Sequence, residues 1–189
     1  MSTITRSYEG TEVPAAGVYV IDPTHSSVEF VTRHLMVSKV RGKQAPPAGT
    51  FVVGEDPFSS SVDITLDPSS VSTGDEARDA HLRNPDFFDT ETYPTIRFAS
   101  VAVRHVKGDR WEVDGELTVK DVTRPITLNV EYNGAQEDPW GNSKLGLSAV
   151  AELDREEWGL TWNQLLESGG VLVGKTVKIE IEIEAARQG

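Results

Sequence analysis

The 189-residue chain contains no cysteine, so it has no disulfide framework, thiolate metal site or thiol nucleophile, and its stability must come from burial. Basic residues are scarce: 18 lysines and arginines against 30 aspartates and glutamates leave a formal charge of −12. Such a field repels phosphate backbones and anionic membrane surfaces, so nucleic acid is not an expected partner. Long apolar runs are missing as well. No stretch approaches the roughly 18 apolar residues of a membrane span, and the opening Met-Ser-Thr-Ile-Thr-Arg-Ser-Tyr is not the core of a signal peptide. The expectation is a cytoplasmic protein with no integral membrane segment. Internal repeats and low-complexity tracts are also lacking.

What is present is alternation with period two, the pattern of a strand that shows one face to a core and the other to water. Val62, Ile64 and Leu66 alternate with Asp63, Thr65 and Asp67. The same rhythm runs from Trp111 to Val119, from Ile126 to Tyr132, and from Leu145 to Leu153. It is cleanest at Val177, Ile179, Ile181 and Ile183, which alternate with Lys178, Glu180, Glu182 and Glu184. Less regular strands are expected over residues 18–21, 27–34, 50–53 and 95–106, the last bulged near Ser100. Turn formers at Gly108-Asp109, Asn133-Gly134 and 138–142 separate consecutive antiparallel strands, and residues 44–48 read as a proline-bearing loop. One helix is expected between Gly74 and Asn84, capped near Asp75 and ended by Pro85. Phe87 and Phe88 follow on a loop, where at least one is expected to plug an apolar space. Residues 1–16 read as a flexible extension and 17–187 as one domain. Eight or nine such strands remove their exposed edges most simply by closing into a barrel, either filled or hollow.

Several chemistries are weighed and set aside. His25, His34 and His81 show no local metal-ligand spacing. Asp22, His25 and Ser26 hold the residue types of a hydrolytic triad, but sequence neighbours rarely converge with an oxyanion hole. A turn fixed by Asp22 and Pro23, with a histidine bond to the backbone, accounts for them better.

A resemblance is carried by blocks in order along the chain. They are Ile21-Asp22-Pro23-Thr24-His25-Ser26, Val28-Glu29-Phe30 to Arg33-His34-Leu35, Val40-Arg41-Gly42, and Ser72-Thr73-Gly74. Arg78-Asp79-Ala80-His81-Leu82-Arg83-Asn84-Pro85-Asp86-Phe87-Phe88-Asp89 and Tyr93-Pro94-Thr95-Ile96-Arg97-Phe98 follow. Gly115 to Val119, Val122 to Pro125, Asp154 to Leu160, and Leu172-Val173-Gly174 complete the set. In these the sequence resembles the YceI-like family from about Gly17 to Ala185. The resemblance implies an all-β, antiparallel eight-stranded lipocalin-like β-barrel with one or two short helices. It implies an apolar tunnel for an amphiphilic lipid: a polyisoprenoid, isoprenoid quinone, polyprenyl phosphate, or fatty acid or amide. It implies no catalytic residue, no metal, no required cofactor, and a homodimer as a plausible assembly. Gln44 and Pro47 stand where relatives usually carry phenylalanine, and Trp158 where phenylalanine is usual.

Candidate tunnel lining comes from Phe30, Phe51, Phe87, Phe88, Phe98, Trp111, Trp158 and Trp162, a filled core being the competing reading of the same residues. Candidates for a polar head group are Arg33, His34, Arg41, His81 and Arg83, because a phosphate would call for charge-assisted bonds. A non-catalytic binding or carrier protein is the expected function. The alternatives are an enzyme acting on a hydrophobic substrate inside the barrel through His34 or His81, and a stress-related interaction protein.

Overall fold

The structure is a computed structural model describing residues 4–189. Its elements in chain order are β1 (Thr5–Tyr8), β2 (Thr11–Pro14), β3 (Gly17–Ile21), β4 (Ser27–His34), β5 (Ser38–Gln44), β6 (Ala48–Val53) and β7 (Ser61–Leu66). Then come α1 (Glu76–Arg83), β8 (Ile96–Lys107), β9 (Arg110–Val119), β10 (Val122–Glu137), β11 (Ser143–Asp154) and β12 (Val173–Arg187). Every pairing is antiparallel.

The hydrogen-bonded order β11-β10-β9-β8-β7-β6-β3-β12 returns to its start because β11 also pairs with β12. This is the closed eight-stranded barrel that the alternation implied. β3 and β4 are two halves of one interrupted stave: β12 meets Ile21 through Ala185 and Ser27 through Glu182. β5 and β6 form the next stave, broken at residues 45–47, where Pro46 and Pro47 supply no ladder donor. Gln44, read from sequence as part of a loop, is the last residue of β5 and pairs in register with Val28.

The expected bulge near Ser100 is present as a register shift between Ser100 and Ala102. Asn133-Gly134 does not make the turn expected of it. β10 runs through it with a bulge, and the chain reverses at residues 138–142, where the Asp138 carboxylate accepts the backbone N–H groups of Trp140 and Asn142. Pro125 lies inside β10, paired with Glu116 of β9. The pairing of β10 with β11 starts only at Asn129, so no donor is needed on the proline's other side.

The helix is capped as expected, the Asp75 carboxylate accepting from Arg78 N–H at 2.8 Å. Ahead of Gly17, in the stretch read from sequence as a flexible extension, β1 and β2 pair as a hairpin across Glu9-Gly10, both at positive φ. Val13 of that hairpin is among the most buried residues of the chain. None of the described residues belongs to a helix long and apolar enough to cross a membrane.

Candidate ligand-binding tunnel

Inward-facing residues enclose two adjoining apolar cavities of about 150 and 180 Å³. Ile64, Phe98, Leu128 and Ile181 belong to the walls of both and form a waist between them. β12 shows how the sequence builds this shape. Val177 and Ile179 face the larger cavity, Ile181 the waist, and Ile183 the smaller one, so one alternating strand lines the full length.

The larger cavity is sealed by Leu82 of α1, by Phe87 and Phe88, and by Trp158 and Leu160. Trp158 is 3% exposed, and its indole N–H donates to Leu117 O at 2.9 Å, so the ring is fixed as well as buried. The smaller cavity is roofed by Val13 and Pro14 of the hairpin, with Phe51 and Trp111 in its wall.

The barrel stays hollow in part because its aromatic rings lie along the wall. The Phe30 ring rests over Gly42, its register partner on β5, and the Phe98 ring over Gly115 of β9. A Cβ at either glycine would collide with the ring. The missing side chain is thus the space that the ring fills, which leaves the lumen empty.

Seven of the eight aromatic candidates line the cavities: Phe51 and Trp111 the smaller, Phe30, Phe87, Phe88 and Trp158 the larger, and Phe98 both. Trp162 does not. It packs behind the wall, 5.6 Å from the Phe87 ring and 4.5 Å from His81. The five polar candidates are likewise absent from the lining. Arg33 and Arg41 fall on the outward phase of their strands, and Arg41 bridges Glu29 at 2.8 Å and Glu180 at 2.7 Å. Arg83, the last residue of α1, reaches across to donate to the carbonyls of Ser69 and Val71 in the segment ahead of the helix. His81 is held by Asp86 at 2.9 Å, and His34 ends β4 at the barrel rim.

The polar groups that do occupy the wall include Thr32, Gln44, Arg155 and Tyr132. Arg155 is buried, and its guanidinium donates to the carbonyls of Gly174, Leu160 and Val173, locking the start of β12 onto the turn after β11. Burial lowers its pKa, countered by Glu156 and Asp154. Tyr132 is 8% exposed, and burial pushes its phenol up to about 12. Its signal was in the sequence, because it occupies the inward phase after Ile126, Leu128 and Val130. Arg155 sits in a 3-10 turn, where strand periodicity gives no warning.

The three histidines considered as a metal set are separated. His25 instead lies beside Asp22 at 3.2 Å and Glu184 at 3.6 Å. Lys144 occupies the space between those two carboxylates, at 2.6 Å from Asp22 and 2.8 Å from Glu184, and offsets part of their charge. These bonds hold the Asp22 carboxyl well below the usual carboxylate range, the hydrogen bond from Lys144 being the largest cause. The Asp22 turn is fixed by Thr24, whose N–H and hydroxyl both reach its carboxylate, and by His25, whose backbone N–H donates to Asp22 O at 3.3 Å while its ring bonds the carboxylate. Ser26 Oγ bonds the backbone of Glu184 in both directions, so it serves as a strand clamp.

Among curated proteins, a UPF0312 protein of Staphylococcus aureus (strain USA300) is 40% identical over 169 residues, covering 88% of this chain and 95% of its own. Solved structures share the fold. BcnA of Burkholderia cenocepacia superposes with a TM-score of 0.76 at 20% identity, covering 87% of this chain and 98% of that one. A Campylobacter jejuni YceI protein gives 0.71 at 24% identity, over 83% and 90%. A polyisoprenoid-binding domain from Saccharophagus degradans, implicated in plant cell wall breakdown, gives 0.68 at 16% identity, over 92% and 100%. The YceI-like domain model matches residues 19–185, and with a 40% identical relative spanning most of both chains, this protein belongs to the YceI-like family.

Proposed function

We propose that the protein is a non-catalytic binding protein that encloses the hydrocarbon part of an amphiphilic lipid, isoprenoid or fatty, inside its barrel. The observation that carries this reading is the pair of adjoining apolar cavities inside the barrel, which share Ile64, Phe98, Leu128 and Ile181 as a common wall. Each methylene moved from water into such a wall contributes about 0.8 kcal/mol, so a long tail is held without specific contacts. The polyisoprenoid-binding description of the Saccharophagus degradans domain, which shares the fold, agrees with this ligand class. The side chains weighed for chemistry also favour binding over turnover: His81 is packed between Phe87 and Trp162 behind the wall, and Ser26 is a backbone clamp.

The test is to extract the protein purified from its native cell with organic solvent and to analyse the extract by mass spectrometry. A stoichiometric amphiphile, recovered unchanged after long incubation with the protein, is expected. Stoichiometric protein with no lipid, and no uptake of an added apolar fluorophore, refutes the reading.

A further inference from the structure

The tip of the β4–β5 hairpin is built against local preference. Val37 N–H donates to His34 O at 3.1 Å, closing a turn whose two central residues, Leu35 and Met36, lie at left-handed φ of 52° and 61°. Asn, Asp and Gly dominate such positions, because other side chains are strained there. Packing does not explain the choice: Leu35 and Met36 are exposed, and Val37 beside them is 80% exposed. The neighbouring loop, tied to the tip by Leu35 N–H donating to Leu172 O at 2.9 Å, adds Leu165 at 82%. Strain retained at exposed apolar side chains points to a role outside the fold.

Charge is arranged about the same tip. The protein carries −12 overall, yet residues 30–54 contain no acidic side chain and four basic ones, Arg33, Lys39, Arg41 and Lys43. Arg41 and Lys43 are paired with Glu29. Arg33 and Lys39 stand directly opposite each other on β4 and β5, both exposed, and neither makes an ion pair among the described residues. Like charges so placed weaken a sheet, and Gly174, the neighbour of Arg33 on β12, offers no carboxylate. Glu167 is the only charged residue between Trp158 and Lys175 in the adjoining loop. An anion supplied from outside relieves the repulsion between Arg33 and Lys39. The exposed Leu, Met and Val call for hydrocarbon as well, which a lipid surface has and a nucleic acid lacks.

We propose that the β4–β5 tip is a docking surface for an anionic lipid bilayer, Leu35, Met36 and Val37 entering the boundary between head groups and acyl chains while Arg33 and Lys39 meet the head-group phosphates. The acidic remainder of the surface is repelled by the same bilayer, which turns the molecule tip first. Thr32, in the wall of the larger cavity, lies on β4 just before the tip, and Val173, also in that wall, pairs with His34 at its base. Docking therefore holds the larger cavity close to the bilayer. It requires no occupant in the barrel, so it is tested on empty protein, independently of lipid binding inside.

The experiment is flotation of delipidated full-length protein with vesicles of phosphatidylcholine alone or mixed with phosphatidylglycerol, at low and high salt. Binding is expected to the mixed vesicles only, and to weaken as salt screens the phosphates. Leu35→Asn combined with Met36→Gly gives the turn the residues it prefers and removes its apolar side chains, so the melting temperature should rise while vesicle affinity falls about tenfold or more. Arg33→Gln combined with Lys39→Gln ends the facing of like charges, so the melting temperature should hold or rise while affinity again falls about tenfold or more. Trp140 is exposed in the 138–142 turn, beyond Lys144 and Ala186 at the opposite end of β12 from Val173, so Trp140→Ala should leave vesicle binding unchanged. A purely structural role for the tip predicts the reverse, lower melting temperatures with vesicle binding unaltered. No binding to the mixed vesicles, equal binding to phosphatidylcholine alone, unaltered affinity in both double variants, or tip-dependent self-association in place of vesicle binding overturns the inference.

Discussion

The two ends of the barrel close the same lumen with different chemistry. At the helix end, Phe87, Trp158 and Leu160 are each more than nine-tenths buried in a shared aromatic and aliphatic cluster with Ile96 and Val119. At the hairpin end, the strands β1 and β2 are tethered largely by polar bonds. Arg6 donates to the carbonyls of Gly54 and Glu55, the Tyr19 hydroxyl to Ala15 O at 2.8 Å, and Arg187 to Ala16 O. Val13 and Ala15 supply the buried apolar share. One seal resists opening through area removed from water, which salt and pH scarcely touch. The other depends on hydrogen bonds exchanged for water at a small net gain, and on nearby ion pairs that respond to protons and ions. The difference makes the hairpin the closure held more by polar bonds and the helix end the one held more by apolar burial.

Three measurements press on that contrast. The largest expected effect is at the helix end: Trp158→Ala removes a buried ring and its bond to Leu117, and should cost about 3–5 kcal/mol of unfolding free energy in urea. A loss under about 1 kcal/mol would erase the distinction between the ends. An intermediate effect is expected at the wall between them. Gly115→Ala forces the Phe98 ring off its glycine and into the waist, costing about 1–3 kcal/mol. The same change should weaken binding of a long-chain lipid more than that of a short one, read by fluorophore displacement. The smallest effect lies in the hairpin half, at Asp22 and Lys144. The Asp22 carboxyl has a folded pKa below its unfolded value, so its contribution is complete above about pH 4 and fades as pH falls through the folded value. Melting temperature followed from neutral to strongly acidic pH should therefore fall less steeply in Lys144→Met than in wild type, while Trp158→Ala keeps the wild-type slope.

Most of the wall was legible in the sequence because strand alternation is a strict code. Once Val177, Ile179, Ile181 and Ile183 share a face, their cross-strand partners follow. The helix end was legible for another reason: Asp75, Pro85 and the Phe87-Phe88 pair are contiguous, so local rules reach them. Three things were not. The fate of Asn133-Gly134 depended on whether a better turn lay downstream, a competition between neighbours that a local rule does not resolve. The polar candidates were chosen by residue type, although Arg33 and Arg41 were already out of phase with Phe30. Gln44 was hidden by the prolines that follow it, since Pro46 and Pro47 break the stave and make its last inward residue look like loop.

The closing strand has a consequence for how the molecule is assembled. β12 follows every other strand in the chain, yet it bridges β11 on one edge and both β3 and β4 on the other. Until it inserts, a seven-stave sheet stands open with two unsatisfied borders and a greasy inner surface. The pairing that shuts it joins residues as far apart as Tyr19 and Arg187. Closure of so long a loop costs chain entropy before the last pairing returns any, which makes for slow folding.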